Sequence, residues 1–500
     1  MTLLAIDLGT SSVKVVLADT NGRLLAQASA EYPLHHPQPN HTEQNPAEWW
    51  TAVCRAVRIT LAQAAPYPPI AAIGLSGQMH GTVLLDKAGK LLAPAIIWPD
   101  QRSQAQVAEI TAAVGAARLI GISGSPVATG FQAATLLWLR QNRPDLWGNI
   151  GTVLLPKDYL GWRLTGQHHT DPSDASATLL FDTAHRRWSP ELLAVVGIRL
   201  EQLPTVREGT AVSAPLTPTA AAELGLPPGI PVVVGGADTA CGLLGAGVVS
   251  QRDLLLTLST GGQLVLPVET MAVDTAGRIH TFCAALPPAP EQASLYQAGW
   301  YQMGAILAAG LNLRWLRDNV FGLDDPDAYA KMSGWAATAP PGANGLLYLP
   351  YLVGERTPHM NPQARGAFLG LAAQHGRPEL VRAVLEGVTL ACFDAFSVLA
   401  ELGAAPQRIV LAGGGASSPL WCQMVADVFN LPVAPLAVEN QSAMGAILLA
   451  GGGAGLFEVG KTAVSWATTH PAIQPNPANH ALYQSLLPRF RGAYERYWGD

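Results

Sequence analysis

Leu254-Leu-Leu-Thr-Leu-Ser-Thr-Gly-Gly-Gln-Leu-Val-Leu266 repeats in outline what the chain does at its start, in Leu3-Leu-Ala-Ile-Asp-Leu-Gly-Thr-Ser-Ser-Val-Lys-Val-Val-Leu-Ala18. Each stretch is an apolar run, a turn of small residues and a second apolar run, the pattern of a β-hairpin. After the first, Asp19-Thr-Asn-Gly22 supplies turn chemistry, and Leu24 to Gln27 reads as a third strand of a meander. Self-similarity across half a chain implies two similar halves. The junction falls near Gly245-Ala-Gly247, where the backbone is free to hinge.

Both turns carry the same chemistry. Gly9, Thr10, Ser11 and Ser12 in one, and Ser259, Thr260, Gly261 and Gly262 in the other, offer amides and hydroxyls that suit a phosphate cradle. Lys14 adds a cation just past the first turn. An acid at Asp7 beside a phosphate cradle makes sense if Mg²⁺ sits between them. Each turn taken alone is equally an ordinary hairpin turn.

Between the hairpins lies Pro231-Val-Val-Val-Gly-Gly-Ala-Asp-Thr-Ala-Cys-Gly242. Its valines read as a short buried strand, Gly235 and Gly236 as a sharp turn, and Thr239 to Gly242 as the start of a helix. That places Asp238 where strands of an α/β sheet hand over to helices and such sheets hold ligands. The competing reading is that Asp238 caps the helix.

The composition narrows the options. At 500 residues the chain exceeds one hydrophobic core, so two domains are expected, 1–247 and 248–500. With 49% hydrophobic and 13% charged residues it is globular, and a net charge of −6 without a Lys/Arg block argues against nucleic acid or an anionic membrane as partner. The five cysteines are far apart with no C-x-x-C pair, which argues against a zinc ribbon and for a reducing compartment. Asp7 interrupts the N-terminal apolar run and no run approaches the roughly 20 residues of a membrane span, so a cytoplasmic location is expected.

Other glycine-punctuated strand ends point to the same sheet edge. Ile70 to Leu75 leads into Ser76-Gly-Gln-Met-His-Gly81, where His80 is either a substrate hydrogen-bond donor or a satisfied histidine. Ala95 to Arg102 exposes Trp98, Asp100 and Arg102 at a strand exit, with a core Trp and a local ion pair as the plain alternatives. Residues 103–225 read as mostly helical, with 131–141 and 157–164 as clear segments and Asp171 to Ser176 as a loop. Gly345 to Pro350 is a strand leading into a loop with Glu355 and Arg356, and Pro378 to Phe393 is a helix with an apolar core stripe. Arg408 to Ala412, Gly413-Gly-Gly415 with Ser417, and the helix 419–429 form a strand–glycine–helix unit on which a nucleotide's base or sugar can lie against backbone. Neither a G-x-G-x-x-G with a downstream acid nor a P-loop is present.

Two phosphate hairpins, a central Asp after Gly-Gly and a triple-glycine loop resemble the actin, Hsp70 and sugar-kinase superfamily. Within it the chain resembles the FGGY carbohydrate kinases over nearly its whole length. The telling pieces are Ile6-Asp-Leu-Gly-Thr-Ser11, Gly77-Gln-Met-His-Gly81, Trp98-Pro-Asp-Gln-Arg102, Leu155-Pro-Lys-Asp-Tyr159, Gly235-Gly-Ala-Asp238, Leu349 to His359 and Gly413-Gly-Gly-Ala416. Gln132 and Thr135 depart from the family's N-terminal signature, and Pro99 and Thr239 stand where many ketopentose-specific members have Asn.

The resemblance implies an α/β fold of two ribonuclease H-like domains with a cleft between them. It implies ATP with Mg²⁺ as co-substrate and a ketopentose, D-xylulose, as acceptor, and it admits a homodimer. By position Asp238 is then the general base, Asp7 the metal ligand, and Met79, His80 and Asp238 the sugar contacts, with Trp98, Asp100 and Arg102 shaping the pocket. Gly9, Thr10–Ser12, Lys14 and Thr260–Gly262 take the phosphates, and Gly413 to Gly415 with Ser417 face the adenosine. Other family members act on ribulose, gluconate, erythritol or glycerol. A non-catalytic ATP-driven clamp would need a peptide-binding domain or a polymerisation surface, for which no separate segment remains.

Overall fold

The computed structural model describes residues 1–288, 298–437 and 440–499. The echo between the two hairpins extends to two whole sheets. In the first, Leu24–Glu31, Ser12–Asp19, Thr2–Leu8, Ile70–Gly77 and Pro231–Val233 lie side by side, with Val212–Pro215 added at the end. In the second, Trp300–Ile306, Gly262–Val268, Asp253–Leu258, Arg408–Ala412 and Val433–Pro435 lie in the same order, with His280–Cys283 added beyond Trp300–Ile306. Each sheet is a three-stranded antiparallel meander continued by parallel strands, which need crossover connections.

Side chains alternate across each strand, so each sheet has two faces to bury. One face of the first sheet (Leu4, Ile6, Leu8, Val13, Val15) packs on the Pro46–Ala64 helix through Trp49, Val53 and Val57. One face of the second (Leu254, Leu256, Leu258) packs on the helices Arg377–Glu401, Pro419–Phe429 and Pro477–Trp498. The remaining faces share one core: Leu3, Ala5, Val16 and Ala18 from the first sheet, and Leu255, Val265 and Val410 from the second, enclose the helices Asp238–Gly245 and Gln441–Gly453. Each of these two helices follows the fifth strand of its own sheet, so their crossing lies at the centre of the repeat.

The crossing depends on glycine. A methyl at Gly245 would overlap the Gln441 carbonyl, and one at Gly445 would overlap the Cys241 carbonyl. Gly74, in the Ile70–Gly77 strand, lies in the same way against the Ala446 carbonyl. The small-residue run Ser442-Ala-Met-Gly-Ala446 thus brings a segment of the second half against the first sheet.

Three local expectations are corrected. The helix expected over 378–393 runs from Arg377 to Glu401; by length and apolarity it would suffice to cross a bilayer, but it is mostly buried in the second core. The expected loop at Asp171–Ser176 is a short helix, Pro172–Ser176, capped by Asp171, whose carboxylate accepts from the Ser173 amide at 2.8 Å. Residues 103–225 contain helices at 104–114, 116–123, 132–142 and 156–165 but also short strand pairs, such as Phe181–Asp182 with Arg187–Trp188.

Gly445→Ala should cost ~2 kcal/mol or more in urea unfolding, because the added methyl meets backbone that cannot rotate away. Gly334→Ala, in the Ala328–Thr338 helix with nothing within 4 Å of the new methyl, should instead gain up to ~1 kcal/mol. Equal effects at the two positions would contradict this account of the crossing.

Candidate active site

Asp7 and Asp238 face each other at the edge of the first sheet. Asp7 is the penultimate residue of the Thr2–Leu8 strand, in register with Lys14 on one side and Ser76 on the other. Burial raises its pKa to about 6, against the opposing pull of the Ser76 hydroxyl and the Lys14 charge. Its Oδ1 is buried and without a partner. Asp238 is the first residue of its helix, delivered by the turn through Gly235, whose φ of 82° would be strained for a residue with a side chain.

The carboxylate of Asp238 is not a helix cap. Its Oδ1 accepts only from its own neighbour, Thr239, at 2.6 Å from the amide and 3.2 Å from the hydroxyl. Oδ2 makes no hydrogen bond among the described residues, and the side chain is half-buried. Burial, then the nearby Asp7 charge, push its pKa up to about 7, with Thr239 opposing. The Ser442 hydroxyl donates to the Asp238 carbonyl at 3.0 Å, tying this residue to the Gln441–Gly453 helix.

The two small-residue turns are built alike. In the first, Gly9 N–H donates to the Ser12 carbonyl (3.0 Å), Gln44 Nε2 to the Thr10 carbonyl (2.7 Å), and the Tyr32 hydroxyl to the Gly9 carbonyl. In the second, Ala309 and Leu311 donate to the Thr260 carbonyl (2.9 and 3.0 Å) and Gly310 to the Ser259 carbonyl (2.7 Å). With their carbonyls occupied from behind, the amides of Thr10, Ser11 and Thr260 have no acceptor among the described residues. Convergent free amides of this kind form an anion site.

The second turn opens into a pocket of about 470 Å³. Ser259 and Thr260 line it on one side, Gly414, Gly415 and Ser417 on another, and Leu313, Tyr329, Val381 and Trp421 supply apolar walls. Gly413 has φ 79°, and a side chain there would press on the Leu258 carbonyl at 2.6 Å and the Ser259 hydroxyl at 2.7 Å. The triple glycine therefore lets this loop lie directly on the hairpin. Arg314 also lines the pocket and donates to the Thr260 hydroxyl at 3.4 Å. Arg314, Tyr329 and Trp421 escaped the sequence reading because each sits in an ordinary helical pattern, brought to the pocket only by packing.

Beside Asp238 runs an aromatic wall drawn from both halves. His80, at φ 71°, stacks on Phe131 with ring centres 3.8 Å apart. His280 stacks on Phe282 at 5.5 Å, Phe282 lies 5.7 Å from Tyr301, and the Tyr301 hydroxyl reaches Met79 Sδ at 4.0 Å. His80 Nδ1 lies 2.8 Å from the Ala177 carbonyl, which only accepts, so this nitrogen carries the proton. Burial lowers the His80 pKa to about 4, with the Arg356 charge assisting, so at neutral pH Nε2 is an acceptor. Its donor nitrogen is thus satisfied within the protein, which is the second of the two alternatives for His80. His280 is pushed down to about 3 by burial and by Arg356, and its Nδ1 is buried without a partner. Glu355 and Thr357 hold the Arg356 loop in place by accepting from Leu307 N–H (2.9 Å) and Ala305 N–H (3.1 Å). Phe131, His280, Phe282 and Tyr301 carried no sequence signal beyond apolar strand or helix patterning.

Trp98 is 39% exposed and donates from Nε1 to the Thr10 hydroxyl at 2.9 Å, so it braces the Gly9–Ser12 turn. Asp100 and Arg102 form the local ion pair that was the alternative to a role in shaping the pocket. Asp100 accepts from Thr42 N–H at 2.7 Å and from Arg102 Nε at 2.9 Å, while Arg102 also pairs with Glu43 at 2.7 Å and lies over the Trp138 ring. Both are buried, and they fasten the Thr42–Glu43 segment. Gln132, at a departure from the signature, donates to the Gly81 carbonyl at 3.2 Å and so supports the turn that carries His80.

No group of three or more His, Cys, Asp or Glu among the described residues is arranged to hold a metal alone. The partnerless buried oxygen of Asp7 is a single-carboxylate foothold, which suits Mg²⁺ when phosphates supply other ligands.

Comparison with known proteins agrees with this arrangement. Residues 2–245 match the N-terminal domain, and residues 272–454 the C-terminal domain, of the FGGY family of carbohydrate kinases. The chain is 36% identical over 497 residues to the xylulose kinase of Bacillus subtilis, covering 98% of this chain and 96% of that one. It is 31% identical over 471 residues to the gluconokinase of the same organism, covering 92% and 88%. A crystal structure described as a "xyloylose kinase" from Brucella ovis superposes with a TM-score of 0.91 at 34% identity, covering 99% of each chain. With both family domains present in order and full-length relatives above 30% identity, the chain belongs to the FGGY carbohydrate kinases.

Proposed function

We propose that this carbohydrate kinase transfers the γ-phosphoryl group of ATP to the terminal hydroxyl, O5, of D-xylulose, with Asp238 as general base. It rests on one observation: a carboxylate with a free oxygen and a pKa raised to about 7 opens a helix at the edge of the first sheet, within electrostatic reach of Asp7 and of Tyr301 in the aromatic wall. The choice of D-xylulose is supported by relatives with that name.

Asp238 Oδ2 orients the sugar hydroxyl, and His80 Nε2 accepts a second hydroxyl while Met79 packs against the sugar. The O5–P bond forms as the bond from Pγ to the leaving ADP oxygen breaks, and the hydroxyl proton passes to Asp238. Because the transition state is loose, positioning and charge neutralisation dominate the rate. The amides and hydroxyls of Thr10 to Ser12, with Lys14 and with Thr260 to Gly262, face the phosphates. Gly413 to Gly415 and Ser417 face the adenosine. Asp7 would hold Mg²⁺, whose charge neutralises phosphate oxygens when bound. On this reading residues 1–247 serve the sugar and 248–500 mainly the nucleotide. Closure of the cleft then excludes water that would otherwise take the phosphoryl group.

A coupled ADP-release assay over D-xylulose, D-ribulose, gluconate, erythritol and glycerol should give the highest kcat/KM for D-xylulose; a higher value for another acceptor overturns the substrate. Asp238→Asn should lower kcat by ~10²–10⁴-fold with ATP affinity little changed, and near-normal turnover would remove the base from the mechanism.

The pKa shift has a definite sign. A base works ionised, so kcat/KM should fall with unit slope as pH drops below about 7. A carboxyl whose folded pKa is raised binds its proton more tightly folded than unfolded, so stability is lost as pH rises from the ordinary 3.8 to about 7. Asp238→Asn should therefore melt at a higher temperature than the parent at pH 8 and show no such gain at pH 4.

A further inference from the structure

A buried ionic cluster lies directly behind the turn that delivers Asp238. Lys157, on the Pro156–Thr165 helix, places Nζ 2.6 Å from Asp158 Oδ1, 3.3 Å from Asp171 Oδ1 and 3.5 Å from Asp174 Oδ2. All four side chains are at most 1% exposed. Three carboxylates around one ammonium is a costly arrangement in an interior, where an unbalanced charge is strongly destabilising. The imbalance shows in the oxygens that lack a hydrogen-bond partner, both of Asp174 and one each of Asp158 and Asp171. Burial, with its acidic neighbours, holds Asp174 well above the usual carboxylate range. A cluster kept for packing alone would be better replaced by apolar side chains.

Its connections show what it holds. Lys157 Nζ donates to the Val234 carbonyl at 3.3 Å, at the residue where the turn to Asp238 begins. The Ser173 hydroxyl donates to Asp171 Oδ2 and accepts from Ala237 N–H at 2.9 Å, at the residue where the turn ends. The turn Val234–Ala237 is therefore gripped at both ends by one charge network. Backbone bonds from Val234 to Ala211 and from Gly235 to Gly209, and pairing of Gly236 and Ala237 with the Ile70–Gly77 strand, hold the turn as well, so the charge network is an added restraint at the two ends of a glycine-containing segment. None of these side chains touches the pocket or the phosphate turns.

We propose that Lys157, Asp171 and Ser173 are positioning residues for phosphoryl transfer, setting the place of the Asp238 carboxylate through the Val234 carbonyl and the Ala237 amide. The inference rests on the reading of Asp238 as base. Displacements of about 1 Å cost on the order of 10²-fold in rate when a base must meet its proton donor.

Lys157→Met leaves three buried carboxylates unbalanced and is open to failing as a fold, so the deciding variant is Ser173→Ala, which removes only the hydroxyl link. Ser173→Ala in the full-length enzyme should lower kcat by ~10-fold or more, with little change in KM for ATP or sugar and with far-ultraviolet circular dichroism unchanged. In an Asp238→Asn background the same substitution should cost nothing further, because its effect travels through the carboxylate already removed. Wild-type kcat in Ser173→Ala, or an equal loss in the Asp238→Asn background, would overturn the proposal. Normal turnover in Asp238→Asn alone would instead overturn the base assignment, so the two failures are distinguishable.

Discussion

The cleft depends on the crossing of two helices, Asp238–Gly245 and Gln441–Gly453, at Gly245 and Gly445. Each helix follows the fifth strand of its own sheet, and each presents a glycine to the other's backbone. Side chains at those points would push the helices, and with them the two sheets, apart. Because Asp238 is the first residue of one helix and Ser442 of the other donates to its carbonyl, the same contact that joins the halves also locates the carboxylate.

The second constraint is electrostatic. The site holds Asp7 and Asp238, both half-buried, near one another beside Lys14, and behind them buries Asp158, Asp171 and Asp174 against Lys157. Water would solvate these groups better than the protein does, so the arrangement trades stability for chemistry. On the reading of Asp238 as base, a pKa raised to about 7 places its titration near neutral pH. The second hairpin has no acid at the position of Asp7; Thr257 occupies the corresponding place before its turn. The repeat thus supplies two anion turns, and divergence between its halves supplies one acidic edge.

The two hairpins with their small-residue turns, the glycine loop and the strand–turn–helix placement of Asp238 were legible in the sequence, because each rests on local periodicity and on glycines at defined places; the order of strands in the sheets was not. Recognition of the family followed from those same motifs. What the sequence did not reveal depends on long-range packing. Phe131, His280, Phe282 and Tyr301 are apolar-strand or helix residues until the halves meet, and only then become one wall. Asp100 and Arg102 stand at a strand exit that suggests a ligand edge, yet Thr42 and Glu43 arrive to satisfy them. Lys157 and Asp171 are 14 positions apart in sequence, and nothing in the spacing shows that both reach the Val234–Ala237 turn.

The central claim is that Asp238 takes the sugar proton in the phosphoryl-transfer step. Single-turnover rapid-quench measurement of Asp238→Asn, with D-xylulose already bound and ATP in excess at pH 8, isolates that step from binding and product release. The account predicts a transfer rate lowered by ~10²–10⁴-fold, with sugar and nucleotide dissociation constants close to those of the parent. A transfer rate near the parent value with both ligands bound would contradict it.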